Sequence, residues 1–176
     1  CADPRSEPSE SGSIRLGIVG QALIEYDPRA HFESPLSSVL PILNTTDAVF
    51  TNLEVAVSNA GCACVPTRDD IFFHGAEIDV VEYLAGIGVS LLALSNNHSW
   101  DYGAEGILST IAAADALALT HAGTGADVAE ATAPAYLDVA GKRVALVSMA
   151  TVNSPDEARA TSDRPGVNML AVGDSS

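Results

Sequence analysis

Residues 91–103 read LLALSNNHSWDYG, an apolar run that stops abruptly at two amides, an imidazole and a carboxylate. Leu91, Leu92, Ala93 and Leu94 have the composition of a strand buried in a parallel sheet. Ligands of open α/β sheets bind just beyond the carboxyl ends of the strands, so Asn96, Asn97 and His98 fall on a candidate site rim. Asn97 offers a neutral oxygen to a hard cation or a substrate donor. His98 can ligate a metal, move a proton or hold charge near neutral pH, and Asp101 can orient its imidazole. The same letters also admit a plain reading, in which Asn96 and Asn97 form a turn, His98 caps it and Asp101 caps the helix starting near Ala104. Placement directly after a buried strand favours the site.

Outward from this stretch the chain alternates strand and helix. Residues 14–20 predict a first buried strand ending at Gly20-Gln21, 35–43 a short helix, and 48–53 a second strand that delivers Asn52 and Glu54 to its carboxyl end. A Gly-, Pro- and Asp-containing loop spans 58–70, and Ile78, Val81, Leu84 and Ala85 repeat at helical spacing within 76–86, with Gly86 or Gly88 ending that helix before a strand at Val89. Residues 104–119, rich in Ala, Leu and Ile, predict a helix buried on more than one side, and 121–127 a glycine-containing loop. Segments 135–140 and 143–150 flank Gly141-Lys142 as a hairpin, and no strand or helix is expected beyond Thr151. The prediction is an α/β fold, a mixed sheet with flanking helices.

The 176 residues suffice for one domain with a substantial core. Twenty-three acidic residues against eight basic give a net charge of -15, which repels phosphate backbones and argues against nucleic-acid binding. No apolar stretch approaches the roughly 20 residues that cross a bilayer. Cys1 is followed by ADPRSEPSESGS, so residues 1–13 read as a flexible polar tether ahead of a domain over 14–176. A bacterial lipoprotein has this look after removal of its signal peptide, and lipid on Cys1 would then place the domain on an envelope membrane; an arbitrary chain boundary is the other reading. Cys62 and Cys64 are too few and too awkwardly spaced for a disulfide framework or a four-ligand zinc site, and read as incidental.

Three strand exits thus carry polar groups, at Gln21, at Asn52 and Glu54, and at Asn96 to His98 with Asp101. Together with GQALIEYD at 20–27, TNLE at 51–54, FFHGA at 72–76, AGTG at 122–125 and RPGVN at 164–168, they resemble the CapA family, named for a protein of poly-γ-glutamate capsule synthesis. The resemblance implies a partial calcineurin-like metallophosphoesterase fold over 14–170, with Glu54 and Asn97 as candidate metal ligands and His98 as the candidate acid or phosphate-contacting group. Gln21, Asn96 and His74 are candidate substrate contacts, His74 with a packing role as the alternative. Many relatives carry Asp where this chain has Gln21, and a neutral amide binds hard metals more weakly, so a divalent cation (Mn, Zn or Mg) is expected to bind weakly or not at all. Asp27 could replace that charge, or open a turn at Asp27-Pro28. Glu54 could instead be a surface carboxylate or a partner for Arg29. His31 and His121 have no supporting constellation.

Complete relatives continue past the RPGVN-like segment with further histidine-bearing strand ends, which have no counterpart before Ser176. The expected function is that of a cell-envelope protein handling an anionic polymer, peptide or phosphoester, with metal-dependent hydrolysis as its chemistry. Two alternatives accompany it: a metal-independent peptide epimerase, in which Asp27 or Glu54 takes an α-proton and a histidine returns one to the opposite face, and a truncated noncatalytic binding domain.

Overall fold

A computed structural model describes residues 12–30, 36–151 and 154–170. The expected tether and Cys1 fall almost wholly outside this range, as does His31. Four parallel strands form the central sheet in the order β1-β2-β5-β6: β1 Leu16–Ala22, β2 Ala48–Leu53, β5 Val89–Ala93 and β6 Thr120–Ala122. Two short strands, β3 (Ala56–Ser58) and β4 (Gly75–Glu77), pair in parallel beside it. Helix α2 (Ile78–Gly86) leads into β5 and α3 (Gly103–Ala116) follows it, while α1 (Leu40–Leu43) is a single turn before β2. The α/β architecture with flanking helices is therefore as the sequence predicts.

The helices sit over one face of the sheet, where Val49, Leu53, Leu92 and Leu94 pack with Val80, Val81 and Leu84 of α2 and with Ala113 and Ala114 of α3. The small alanine side chains let α3 approach closely, and Val80, Val81 and Leu92 are fully buried. On the opposite face Ala48, Leu91 and Ala122 meet Leu146, with Leu137, Val139 and Val144 packed around them. Those last residues belong to an antiparallel hairpin, β8 (Ala135–Val139) and β9 (Lys142–Leu146).

This hairpin corrects two expectations. It forms its own two-stranded sheet rather than an antiparallel part of the main one, whose strands are all parallel. Its turn is Ala140-Gly141, one residue earlier than predicted, because Val139 pairs with Lys142. Both turn residues have positive φ, 50° and 70°, as the tight turn that matches strand twist requires. An alanine in that conformation is unfavourable, so residue preferences could not point to it.

Two further predictions change. The loop read at 121–127 contains the end of β6, the short strand β7 (Thr124–Gly125) and, at Asp127, the cap of α4 (Val128–Thr132). Beyond Thr151 the chain is not structureless: Asp156–Ala158 forms a 3-10 turn and β10 (Gly166–Val167) pairs antiparallel with β7. Val167 and Ala158 are fully buried against Ile107 and Ile111 of α3. Two residues of ladder give no periodicity to read.

Candidate functional site

All four parallel strands end on the same edge, so topology alone brings the exits of β1, β2 and β5 together. At the β5 exit the Ser99 hydroxyl donates to the Leu94 carbonyl at 2.5 Å and accepts from the Asn96 N–H at 3.0 Å, folding the chain back into a tight turn. The Asn96 carboxamide then ties this turn to β2. Its Nδ2 donates to Asn52 Oδ1 at 3.0 Å and to the Leu53 carbonyl at 2.8 Å, while its Oδ1 accepts from the His98 N–H at 3.0 Å. Asn52 Nδ2 in turn donates to Glu54 Oε2 at 2.8 Å. Asn96 thus stands at the centre of the rim with its polar atoms engaged by the protein, and these bonds make it a residue that positions His98 and, through Asn52, Glu54.

Gly123 and the segment at 164–168 close the turn from the other side. Gly123 has φ 109°, and a Cβ there would lie 2.6 Å from the Ser95 Cβ and 2.7 Å from Ser148 Oγ. The Gly123 carbonyl accepts from the Asn168 N–H at 2.8 Å, and the Asn168 carbonyl accepts from Ser95 Oγ at 2.9 Å. The AGTG and RPGVN stretches therefore brace the histidine-bearing turn.

Asp101 is the hub. It is fully buried, and its Oδ2 accepts from His98 Nδ1 at 2.9 Å and from the His74 backbone N–H at 2.8 Å. Its Oδ1 lies 3.4 Å from Arg68 Nε, without a hydrogen bond among the described residues. This corrects the helix-cap alternative: the residue flanking α3 is Tyr102, and no side chain caps that helix. An ionised carboxylate only accepts, so His98 carries its proton on Nδ1 and, when neutral, presents the lone pair of Nε2. His98 is itself buried, at 7% exposure, and is not the exposed imidazole that a strand end suggests.

His74 is brought to the same place. The two imidazole centroids are 4.4 Å apart with an interplanar angle of 75°, and His74 Nδ1 lies 2.6 Å from Glu25 Oε1. His98 is thus flanked by His74, Asp101 and, through Asn96, the β2 exit. Asn97 is half-buried beside it, and Glu54 is half-buried at the end of β2 with its N–H bonded to the Ala22 carbonyl at 3.0 Å. Gln21 is exposed, paired in register with Asn52, and lines a separate apolar cavity of about 280 Å³ with Leu36, Tyr83 and Val89. A bulge between Ile18 and Gln21 shifts the register there.

Asp27 and Arg29 form a pair at 2.7 Å, so Asp27 takes the turn role and Arg29 is Asp27's partner, not Glu54's. His121 does have a partner, Asp115 Oδ1 at 3.1 Å. Cys62 and Cys64, read as incidental, form a disulfide with a Cα separation of 5.1 Å, within the usual range for such bonds. Counting cysteines could not reveal a three-residue ring, because the loop conformation decides it. Asn52, read from the sequence at the β2 exit, is joined in the site by Glu25 and Arg68, to which the sequence reading gave no role; Arg68 sits in a loop without pattern.

Among the described residues no group of three or more His, Cys, Asp or Glu is spaced to hold a metal ion. Glu54 and Asn97 alone are too few for a hard-cation site. The donors present therefore do not by themselves fit a metal centre, and the chemistry derived below runs through protein groups only.

A model of the bacterial capsule synthesis protein family matches residues 14–174. The chain is 31% identical over 143 residues to an uncharacterized protein of Sinorhizobium fredii, covering 77% of this chain and 31% of that protein. It is 30% identical over 141 residues to a protein of Mycobacterium tuberculosis named as a probable polyglutamine synthesis accessory protein, covering 77% and 36%. It is 31% identical over 128 residues to the capsule biosynthesis protein CapA of Bacillus anthracis, covering 73% and 31%. The chain spans about a third of the length of these relatives. The family match over nearly all of the domain and the shared identity with CapA agree with the strand-end motifs, and the chain belongs to the bacterial capsule synthesis protein family.

Proposed function

We propose that this chain provides the strand-end acid–base centre of an envelope protein acting on a capsule-type polymer, with hydrolysis of a phosphoester or related bond as its chemistry. The observation that carries the reading is the His98–Asp101 pair: a buried carboxylate fixes the imidazole through Nδ1 and leaves Nε2 for a ligand. In its protonated form His98 gives its Nε2 proton to the leaving oxygen as water forms the new bond to phosphorus, the bond to the leaving oxygen breaks and the water's proton passes to solvent; Asp101 stabilises the imidazolium before transfer. Such general acid catalysis contributes roughly a hundredfold to ten-thousandfold in rate. Asn96 holds the imidazole at a fixed depth through the His98 N–H.

Turnover of phosphomonoesters and phosphodiesters, with and without added Mn, Zn or Mg, tests the hydrolase reading, and no turnover under any of these conditions would remove it. The substrate class follows the same proposal: an anionic polymer such as poly-γ-glutamate, a peptide or a phosphoester, rather than nucleic acid, which a net charge of -15 disfavours.

In the alternative reading as a peptide epimerase, Asp27 is paired with Arg29, so Glu54 would be the base that takes the α-proton opposite a histidine. Family membership favours an envelope role, and no helix among the described residues is long and apolar enough to cross a membrane. Lipid on Cys1 would supply attachment; an unmodified mass in the aqueous phase after detergent partition of native protein would exclude it.

A further inference from the structure

Next to His74 lies a cavity of about 350 Å³ lined by Leu23, Ile24, Glu25, Tyr26, Pro28 and His74. Its acidic side chain is Glu25, whose carboxylate, 44% exposed, accepts hydrogen bonds without donating any and holds His74 Nδ1 at 2.6 Å. The walls are aliphatic and aromatic: Leu23 is 38% exposed and Tyr26 55%. The cation that follows in the chain, Arg29, is committed to Asp27 and to the Asp79 carbonyl. The protein as a whole carries a net charge of -15.

We infer that this cavity is a binding subsite for a primary ammonium group borne on a short aliphatic body. The ammonium has three donors and no acceptor, complementary to the Glu25 carboxylate. An aromatic face attracts a cation, and the aliphatic body covers Leu23 and Ile24. A carboxylate or phosphate ligand would instead face Glu25 directly, as a like charge. The subsite rests on the proposed function only in that one substrate is meant to reach both His98 and this cavity; its binding chemistry needs neither turnover nor metal.

The test is a titration of the full chain, labelled with nitrogen-15, with n-butylammonium, n-butyrate and 1-butanol in the presence of EDTA. The expected result is saturable shifts of the Leu23, Ile24, Glu25, Tyr26 and His74 amides with n-butylammonium alone. Glu25→Gln, at a half-exposed position, leaves the remaining spectrum in place and weakens that binding about tenfold, the scale of one charge-assisted hydrogen bond. Glu25→Asp, which retains the charge, restores part of it. Equal shifts from n-butyrate or 1-butanol, no saturable shift, or unchanged binding in Glu25→Gln would each overturn the assignment. Failure of phosphoester turnover leaves this result untouched, so the two readings fail separately.

Discussion

Replacing Asp101 by alanine removes the acceptor on which the site converges. Two hydrogen bonds to an ionised carboxylate are lost, one from His98 Nδ1 and one from the His74 N–H. Each is worth about 1.5–3 kcal/mol. The Arg68 contact, at 3.4 Å with an Arg68 side chain 30% exposed, adds no more than a surface pair, up to about 1 kcal/mol. Relief of the buried charge offsets part of this, so the net loss should be about 3–4 kcal/mol, in line with removal of one partner from a buried charged contact. At about 2–4 °C per kcal/mol for a domain of this size, the melting temperature should fall by about 6–16 °C. Asp101→Asn keeps one acceptor oxygen and should cost about 1–2 kcal/mol. Its amide N–H would meet the His98 Nδ1–H, so the imidazole should shift toward the other tautomer. Urea unfolding followed by the fluorescence of Trp100, the single tryptophan, reads the stabilities, and imidazole nitrogen-15 shifts read the tautomer. A loss below about 1 kcal/mol in Asp101→Ala, or an unaltered His98 tautomer in Asp101→Asn, would refute the reasoning.

Asn96→Ala should cost about 2–3 kcal/mol, because the Leu53 carbonyl and the His98 N–H lose partners inside the fold; an unchanged urea midpoint would contradict this. Burial, with a smaller contribution from nearby Asp27, pushes the Tyr83 phenol above its ordinary value. Its neutral form is therefore favoured in the fold, so stability is retained below the ordinary tyrosine range and declines as pH rises through it; Tyr83→Phe should flatten that alkaline decline in thermal melts. Ala140→Asn, at an exposed turn position with φ 50°, should stabilise the protein by about 0.5–1 kcal/mol, visible as a higher melting temperature.

The sequence located β2, β5 and the rim, because a buried parallel strand must be an apolar run and must end where polar chemistry begins; β1, read as buried, is an edge strand with Leu16 and Ile18 exposed. Ala48–Leu53 appears as predicted, and Val89–Ala93 contains most of the apolar run that opened the reading. His98 and Asp101 could be paired from their spacing in one turn. What stayed hidden depends on contacts distant in the chain: Glu25 and His74 are separated by 49 residues and meet only through the loop at the β1 exit. Arg68 reaches Asp101 from 33 residues away on a loop without periodicity, so no pattern marks it. The functional weight of Asn96 was misplaced for a similar reason, since an amide on a rim looks like a ligand contact until its bonds to Asn52 and Leu53 are seen.

The central claim is that His98 Nε2 does the chemistry while Nδ1 serves the fold, and His98→Asn separates the two. An asparagine amide replaces the Nδ1 donor toward Asp101 and leaves nothing in place of Nε2. Turnover and melting temperature measured on the same preparations of wild type and variant should show a loss of at least about a hundredfold in kcat with stability lowered by only about 1–2 kcal/mol. Retained turnover in a folded variant, or a loss of activity no larger than the fraction unfolded, would contradict it.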